Sequence, residues 1–178
     1  MTSSTKFRKL MEPSYIGVVR TRNRILKTGA NPGNFKYQDG YVPEEIRYYY
    51  EALAKGGVGL IVVGVADIDY PRALRPNIGY RIDDDKYIPN LIELTQAIRK
   101  HDCPAFIQMF HLGPIHPGTA SAPQPVAASS LAKSELPLPW LNVARELTIE
   151  EIGGIVEKFA EAAVRAKKAG FQGIELNA

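Results

Sequence analysis

Residues 105–113 read Ala-Phe-Ile-Gln-Met-Phe-His-Leu-Gly, and Pro114 follows them. A short apolar run that ends in Gly-Pro predicts a buried strand leading into a turn. The run carries Gln108 in its middle and His111 at its C-terminal end. An unsatisfied buried amide costs about 1–3 kcal/mol, so Gln108 needs hydrogen-bond partners. It either pairs with a neighbouring backbone group or faces a ligand with a C=O beside an N–H, as in the pyrimidine edge of a flavin.

Three other stretches predict strands of the same sheet. Gly59-Leu-Ile-Val-Val-Gly-Val65 is apolar and β-branched, which is typical of a parallel strand buried on both faces. Residues 24–27 and 171–176 predict two shorter strands. The first of these leads into Thr28-Gly-Ala-Asn-Pro-Gly33, a loop of small residues that allows a ligand to approach the backbone closely. We expect residues 65–81 to form a loop and residues 10–17 to form a short hairpin that covers one end of the domain.

Helices are predicted between these strands. Pro43 fits the first position of a helix that reaches Ala54, and a second helix covers about 87–100, preceded by an acidic trio at 83–85 that suits its positive end. The third begins at the capping box Thr148-Ile-Glu-Glu151 and reaches about residue 169. Its expected apolar stripe is Ile149, Ile152, Val156, Phe159, Ala163 and Ala166. Strands that alternate with helices indicate βαβ units and a parallel sheet.

Residues 112–147 form a long segment rich in Pro, Ala and Ser, without helical or strand periodicity. Loops of this length inside a compact domain are usually lids or binding loops. Trp140 lies in this segment and either packs over a ligand or anchors the loop. We treat residues 1–178 as part of a single domain with a lid-like loop at 112–147.

Composition excludes several classes of function. The chain has 178 residues, 45% of them hydrophobic and 23% charged, with a net charge of +3 and scattered basic residues, so we expect no nucleic-acid partner. One cysteine and three histidines give no metal-ligand spacing, and we expect no metal. The absence of an apolar signal segment or membrane-length run, together with the single cysteine, predicts a cytoplasmic protein that does not enter a membrane.

Five short motifs follow one another along the chain. They are Ile16-Gly with Arg22-Asn-Arg-Ile25; Tyr49-Tyr50 with Gly56-Gly-Val-Gly-Leu-Ile61; Ile107-Gln-Met-Phe-His-Leu-Gly113; Arg145-Glu-Leu-Thr with Glu151-Ile; and Phe159 to Glu175 with its Ala-Gly-Phe-Gln-Gly-Ile-Glu end. In these motifs and their order the chain resembles the old yellow enzyme family of flavin-dependent ene reductases, and especially its 2,4-dienoyl-CoA-reductase-like branch, over nearly its whole length.

The resemblance implies a (β/α)8 TIM barrel that binds FMN at the C-terminal ends of its strands and takes hydride from NAD(P)H. The implied FMN-binding residues are the loop residues Thr28, Gly29, Ala30 and Asn31, together with Val65 and Gln108. Asn177 occupies the position of the first of two polar groups that hold the carbonyl oxygen of an enone or enoyl thioester. A donor placed there stabilises the negative charge that develops on this oxygen during hydride transfer.

The chain departs from the family pattern at four of these positions. Gly29 replaces a usual Pro, Asn31 a Thr or Cys, Pro114 an Arg, and Asn177 a His that many members carry. We assign His111 to positioning its loop rather than to proton transfer.

A complete barrel needs about 250 residues, and this chain supplies about four βα units. We therefore expect the N-terminal part of a barrel, which by itself binds FMN weakly, associates with other copies and shows no turnover. Two alternatives stay open. One is another TIM-barrel enzyme, such as an aldolase or isomerase acting on a phosphorylated substrate through Lys27 or Glu175. The other is a non-catalytic half-barrel that works by self-association.

Overall fold

The computed structural model describes residues 7–33, 35, 37, 39–70, 79–114, 123–130, 132–135 and 142–177. The chain begins with a one-turn helix α1 (Arg8–Met11) and the antiparallel hairpin of β1 (Ser14–Ile16) and β2 (Val19–Thr21). A hairpin therefore forms near the predicted residues 10–17, but it spans Ser14 to Thr21, and Leu10 and Met11 belong to α1.

The remaining elements alternate between strands and helices, as the sequence predicts. In chain order they are β3 (Leu26–Lys27), α2 (Glu44–Lys55), β4 (Leu60–Asp67), β5 (Tyr80–Arg81), α3 (Ile88–Arg99), β6 (Ala105–Phe110), β7 (Val126–Ala127), β8 (Arg145–Glu146), α4 (Ile149–Lys168) and β9 (Gly173–Asn177).

The main sheet follows the chain without reversing direction. Its strands are hydrogen-bonded in the order β3-β4-β6-β9, every pair is parallel, and β5 adds a short parallel partner to the end of β4. Each strand therefore lies beside the previous one, which is the winding of a βα barrel rather than of a doubly wound sheet. The described residues thus contain four successive strands of the predicted TIM barrel and the helices that follow the first three of them.

All three long helices cover one face of this sheet. The large core joins α2, α3 and α4 to the residues of β4 and β6 that point toward the helices. It contains Ile46 and Tyr50 of α2, Leu91 of α3, Ile61 of β4 and Ile107 of β6. The opposite face carries a smaller cluster of Leu60, Val62 and Phe106, against which Val19 of the hairpin packs. The hairpin thus packs against part of the inner face, whereas the sequence predicts a hairpin that covers one end of the domain.

Helices α2 and α3 begin close to their predicted starts. Pro43 is the N-cap of α2 in an extended conformation, so the helix begins at Glu44, one residue after the predicted first helical position. Gly57 follows the helix with a φ of +103°, a conformation that side chains disfavour. Pro89 lies in the first turn of α3, as predicted, after a 3₁₀ turn at Asp85–Tyr87.

The capping box of α4 forms, with Thr148 and Glu151 each bonding the other's backbone N–H. The predicted apolar stripe is wrong in its first half, because Ile149, Ile152 and Val156 are 85%, 42% and 59% exposed. Its second half is confirmed, because Ala166 is buried and Phe159 and Ala163 pack against the core. The buried Ala162 extends this face, and the small size of both alanines lets the helix lie close to its neighbours.

Two segments predicted as loops contain short strands. Strand β4 continues to Asp67, and β5 forms at Tyr80–Arg81 because it pairs with the end of β4. Within 112–147, β7 and β8 form a parallel pair, and a 3₁₀ turn covers Lys133–Glu135. Trp140 lies outside the described residues.

The acidic trio forms separate interactions rather than one group at a helix end. Asp83 is bonded to Arg81, Asp84 caps the backbone N–H of Lys86, and Asp85 pairs with Arg165. Within the described residues, no helix combines the length and apolarity that a membrane crossing requires.

Candidate functional site

The C-terminal ends of parallel strands lie at one edge of their sheet, and the predicted binding residues follow those ends. The loop of Thr28 to Asn31 leaves β3, Val65 lies near the end of β4, Gln108 lies in β6, and Asn177 is the last residue of β9. The topology therefore places all of them at one edge.

The β3 loop lies directly against Gln108. A Cβ atom added to Gly29 would lie 2.5 Å from the Cδ and Nε2 atoms of Gln108. Real Cβ contacts are longer than this, so only glycine allows the loop backbone to approach the amide so closely.

A second glycine allows β4 to pack against the same loop. A Cβ on Gly64 would lie 2.6 Å from the backbone nitrogen of Ala30. The pairing of β4 with β6 changes register between Val63 and Ala66, so Val65 lies in an irregular part of the strand. This irregularity is typical of strands next to functional sites.

Asn31 and Val65 come together around Gly79, which has a φ of +98°. The position of a Cβ on Gly79 is 3.6 Å from the carbonyl oxygen of Val65 and 3.7 Å from Nδ2 of Asn31. The Oδ1 atom of Asn31 is buried and has no hydrogen-bond partner among the described residues. It is therefore available to a donor on a ligand.

Gln108 is 9% exposed and only half satisfied by the protein. Its Nε2 donates to Oε1 of Glu175, the residue opposite it on β9. Its Oε1 is buried and has no hydrogen-bond partner among the described residues. The amide nitrogen is therefore paired with a side-chain carboxylate rather than with a backbone group. The amide oxygen has no partner among the described residues and could accept a hydrogen bond from a ligand.

Lys27 holds the backbone of the same loop by two hydrogen bonds. Its ammonium donates to the carbonyl oxygens of Thr28, at 2.5 Å, and of Ala30, at 3.0 Å. Burial lowers the pKa of Lys27, and the nearby charge of Glu175 acts in the opposite direction. A cation thus lies close to the Gln108–Glu175 pair.

Asn177 continues the same face of β9. It pairs with Phe110 in the register in which Glu175 pairs with Gln108. Two residues along a strand span about 7 Å, so Asn177 lies one step further toward the open edge than Glu175. It is exposed, as a group that contacts a substrate has to be before binding.

His111 is held by its own loop and by Asp69. Its Nδ1 accepts the backbone N–H of Gly113 at 3.2 Å, and its Nε2 lies 3.3 Å from Oδ2 of Asp69. Lys158 of α4 donates to the other oxygen of Asp69 at 2.5 Å. Both ring nitrogens of His111 therefore contact protein groups, which supports a positioning role.

These features fit the pyrimidine part of FMN. Two buried amide oxygens, from Gln108 and Asn31, lack donors among the described residues, and Gly29 brings the loop backbone close to the Gln108 amide. A ligand that donates an N–H between carbonyl groups satisfies this arrangement.

Sequence reasoning missed Glu175 and Gly64 as members of the site. Glu175 interrupts an apolar strand in the same way as Gln108 does. A polar residue in each of two neighbouring strands indicated that Gln108 and Glu175 could pair. The register of β6 and β9 shows that they do.

Comparison with known proteins places the chain in a family. The family model of NADH:flavin oxidoreductases and NADH oxidases matches residues 9–178. The chain belongs to this family. FMN is the cofactor of the family and NAD(P)H its reductant, so both expectations are confirmed at that level. Membership also argues against the alternative of an aldolase or isomerase.

Similar curated proteins are several times longer. The NADH oxidase of Thermoanaerobacter brockii is 40% identical over 97% of this chain, which covers 26% of that protein. The cinnamate reductase of Clostridium sporogenes is 30% identical over 97% of this chain, again 26% of that protein. The chain thus spans about a quarter of the length of these relatives.

A solved structure shows the same fold. The old yellow enzyme homologue from Zymomonas mobilis superimposes with a TM-score of 0.80 at 28% identity, over 94% of this chain and 48% of that one. The expected partial TIM barrel is therefore confirmed.

Proposed function

We propose that this chain provides the first part of the FMN site of an enzyme that reduces an activated C=C bond, in an enone or enoyl thioester, with hydride from NAD(P)H. Family membership supports a flavin oxidoreductase, and the ene reductase activity is the further step that we propose.

The observation that carries the proposal is the buried, half-satisfied amide of Gln108. Leaving its oxygen unbonded in the folded chain costs about 1–3 kcal/mol, and a bound N–H donor would recover this free energy. Gln108 would accept from the pyrimidine N–H, Asn31 would contact the same ring system, and the backbone from Thr28 to Ala30 would lie along it beside Val65. When bound, FMN supplies hydride transfer between NAD(P)H and the substrate.

Asn177 is the residue that we assign to the substrate. Its amide donates a hydrogen bond to the carbonyl oxygen of the unsaturated substrate and stabilises the negative charge that develops there when hydride adds to the β carbon. A proton then has to reach the α carbon, and the described residues do not identify its donor. We propose no role in proton transfer for His111, because both of its ring nitrogens contact protein groups.

Relatives support the substrate class by their names. They include a cinnamate reductase, an NADH:acrylate oxidoreductase of Vibrio harveyi and an NADH:fumarate oxidoreductase of Klebsiella pneumoniae. Cinnamate, acrylate and fumarate each contain a C=C bond conjugated to a carboxylate, which is the activation that hydride addition requires.

A specific rival is the oxidation of an amine. One relative is an N,N-dimethylglycine/sarcosine dehydrogenase of Chromohalobacter salexigens, 30% identical over 97% of this chain, and one solved structure of similar fold is a histamine dehydrogenase from Rhizobium. In that reaction the substrate reduces the flavin, whereas in the proposed reaction it oxidises the reduced flavin.

The test begins with FMN binding. The purified chain is mixed with FMN, filtered and examined by visible absorption, beside Gln108→Ala and the control Gln96→Ala, which changes an exposed glutamine on α3. We expect weak but measurable retention of flavin by the wild type, as for a partial barrel, and about tenfold weaker retention in Gln108→Ala alone, because one hydrogen bond to FMN is lost. Equal retention in all three proteins would contradict the assignment of Gln108.

The second step distinguishes the two reactions and uses a complete barrel, in which this chain is joined to the remaining βα units, because we expect no turnover from residues 1–178 alone. NADH-reduced protein is mixed anaerobically with cinnamate or an enone, and oxidised protein is mixed with dimethylglycine. Reoxidation by the alkene supports the proposal, whereas bleaching by the amine supports the rival.

We propose a cytoplasmic location for this activity.

A further inference from the structure

Gln108 and Glu175 form a partly buried pair that the sheet register brings together. They lie opposite each other in the register of β6 and β9, so their side chains share one face. Nε2 of Gln108 donates to Oε1 of Glu175, and the Gly29 backbone limits the space on the other side of the amide.

Only one orientation of the amide suits this partner. The NH₂ end of a primary amide donates and its oxygen accepts, whereas an ionised carboxylate only accepts. Rotating the amide by half a turn would bring its oxygen against the carboxylate oxygen. Glu175 therefore keeps the nitrogen on its own side and leaves the oxygen on the other side of the amide, where it has no hydrogen-bond partner among the described residues.

We propose that Glu175 is a positioning residue that fixes the Gln108 amide with its oxygen toward the cofactor. The inference rests on the proposed function, because it takes the facing ligand to be FMN. The inference also specifies which atom of Gln108 contacts FMN. Since the amide nitrogen is bonded to Glu175, Gln108 contributes its oxygen to the cofactor as an acceptor.

Glu175 has a second effect through its charge. A carboxylate next to the pyrimidine-binding amide disfavours the extra negative charge of reduced FMN. It therefore weakens binding of reduced FMN relative to oxidised FMN and lowers the reduction potential. Lys27 is a cation close to this carboxylate. Its ammonium donates to the carbonyl oxygens of Thr28 and Ala30 and interacts electrostatically with Glu175.

Two variants separate position from charge in the full chain. Glu175→Met keeps the size of the side chain but removes the acceptor, and we expect FMN to bind about tenfold more weakly because the amide is free to rotate. Glu175→Gln keeps an acceptor and removes the charge. We expect its affinity for oxidised FMN to fall less than in the Met variant, while its preference for reduced FMN rises about tenfold, or about 30 mV for a two-electron couple.

The measurements are fluorescence titration with FMN and a spectroscopic redox titration. Gln172→Ala is the control, because it changes an exposed side chain just before β9, and we expect it to leave both values unchanged. Circular dichroism checks the fold of each variant. If Glu175→Met does not fold, the potential of Glu175→Gln decides the question.

The outcomes separate the two proposals. Wild-type affinity in Glu175→Met, or an unchanged potential in Glu175→Gln, would overturn the role of Glu175 and leave the FMN site standing. A wild-type chain that binds no FMN would overturn both the proposed function and this role. Weakened binding in Glu175→Met with a raised potential in Glu175→Gln would support the inference.

Discussion

Gly29 connects the β3 loop to Gln108 without any side chain of its own. A methyl group at this position would lie 2.5 Å from Cδ and Nε2 and 2.8 Å from Oε1 of Gln108. Gly29→Ala must therefore displace the loop or rotate the amide away from Glu175. We expect FMN affinity, measured by fluorescence titration, to fall at least about tenfold, since the orientation of one buried hydrogen-bonding group is lost.

Gly33→Ala is the matched control, because Gly33 lies in the same loop and a Cβ there meets no atom of the described residues within 4 Å. We expect this variant to bind FMN like the wild type. If Gly29→Ala also binds like the wild type, the loop does not need its close contact with Gln108.

Single residues show what the sequence can and cannot provide. Gln108 was predictable, because a polar residue in a buried strand requires a partner. The identity of that partner was not, because β6 and β9 are separated by more than 60 residues and their register depends on the whole sheet. The resemblance to the family supplied Asn31 and Asn177, whose chemistry no local pattern indicates.

Asp69 links three elements beside the proposed site. It follows β4, contacts His111 after β6, and accepts from Lys158 of α4. Its side chain is 5% exposed. Burial by itself would raise the pKa of Asp69, but hydrogen bonds and charge from His111 and Lys158 outweigh it, and the pKa is lowered.

We predict that Asp69→Asn destabilises the fold by about 1–2 kcal/mol at pH 7, because a buried charge-assisted hydrogen bond is replaced by a neutral one. The pKa of Asp69 is lower in the folded than in the unfolded chain. Its contribution is therefore complete above the unfolded pKa of about 3.9 and is lost as the pH falls through the folded pKa. Urea unfolding should show the full difference at pH 7 and a smaller one below about pH 4.

The control for this series is Asp102→Asn, at an exposed turn where Asp102 has a φ of +53°, a conformation that asparagine also tolerates. Its stability should match that of the wild type at both pH values. A difference between wild type and Asp69→Asn that stays constant down to pH 3 would show that the Asp69 charge is not involved.

In helix α4 the spacing of apolar residues predicts that a helix forms, but it does not predict which face of the helix is buried. The ends of α4 were predictable from the capping box and from Gly170, which has a φ of +88°. The predicted stripe through Ile152 and Val156 lies roughly a quarter of a turn from the buried face of Ala162 and Ala166. Apolar residues occupy both faces, so the spacing alone could not distinguish them.

The whole molecule has an apolar side next to the last strand. Ile174 and Leu176 of β9 are 43% and 58% exposed, and Ile152 and Val156 of α4 are exposed to a similar extent. Within the described part of the chain, no strand pairs with the far side of β9. An exposed strand edge beside apolar side chains is a common site of association between chains.

We therefore predict that purified residues 1–178 associate as their concentration rises and that Val156→Lys with Leu176→Lys reduces this association, because lysine disfavours burial of both surfaces. Sedimentation velocity at two concentrations measures it. Val18→Lys is the control, since Val18 is 96% exposed in the hairpin turn, away from β9. A monomeric wild type, or an equal effect of the control, would show that this side of the sheet does not drive association. The non-catalytic alternative would then lose its physical basis.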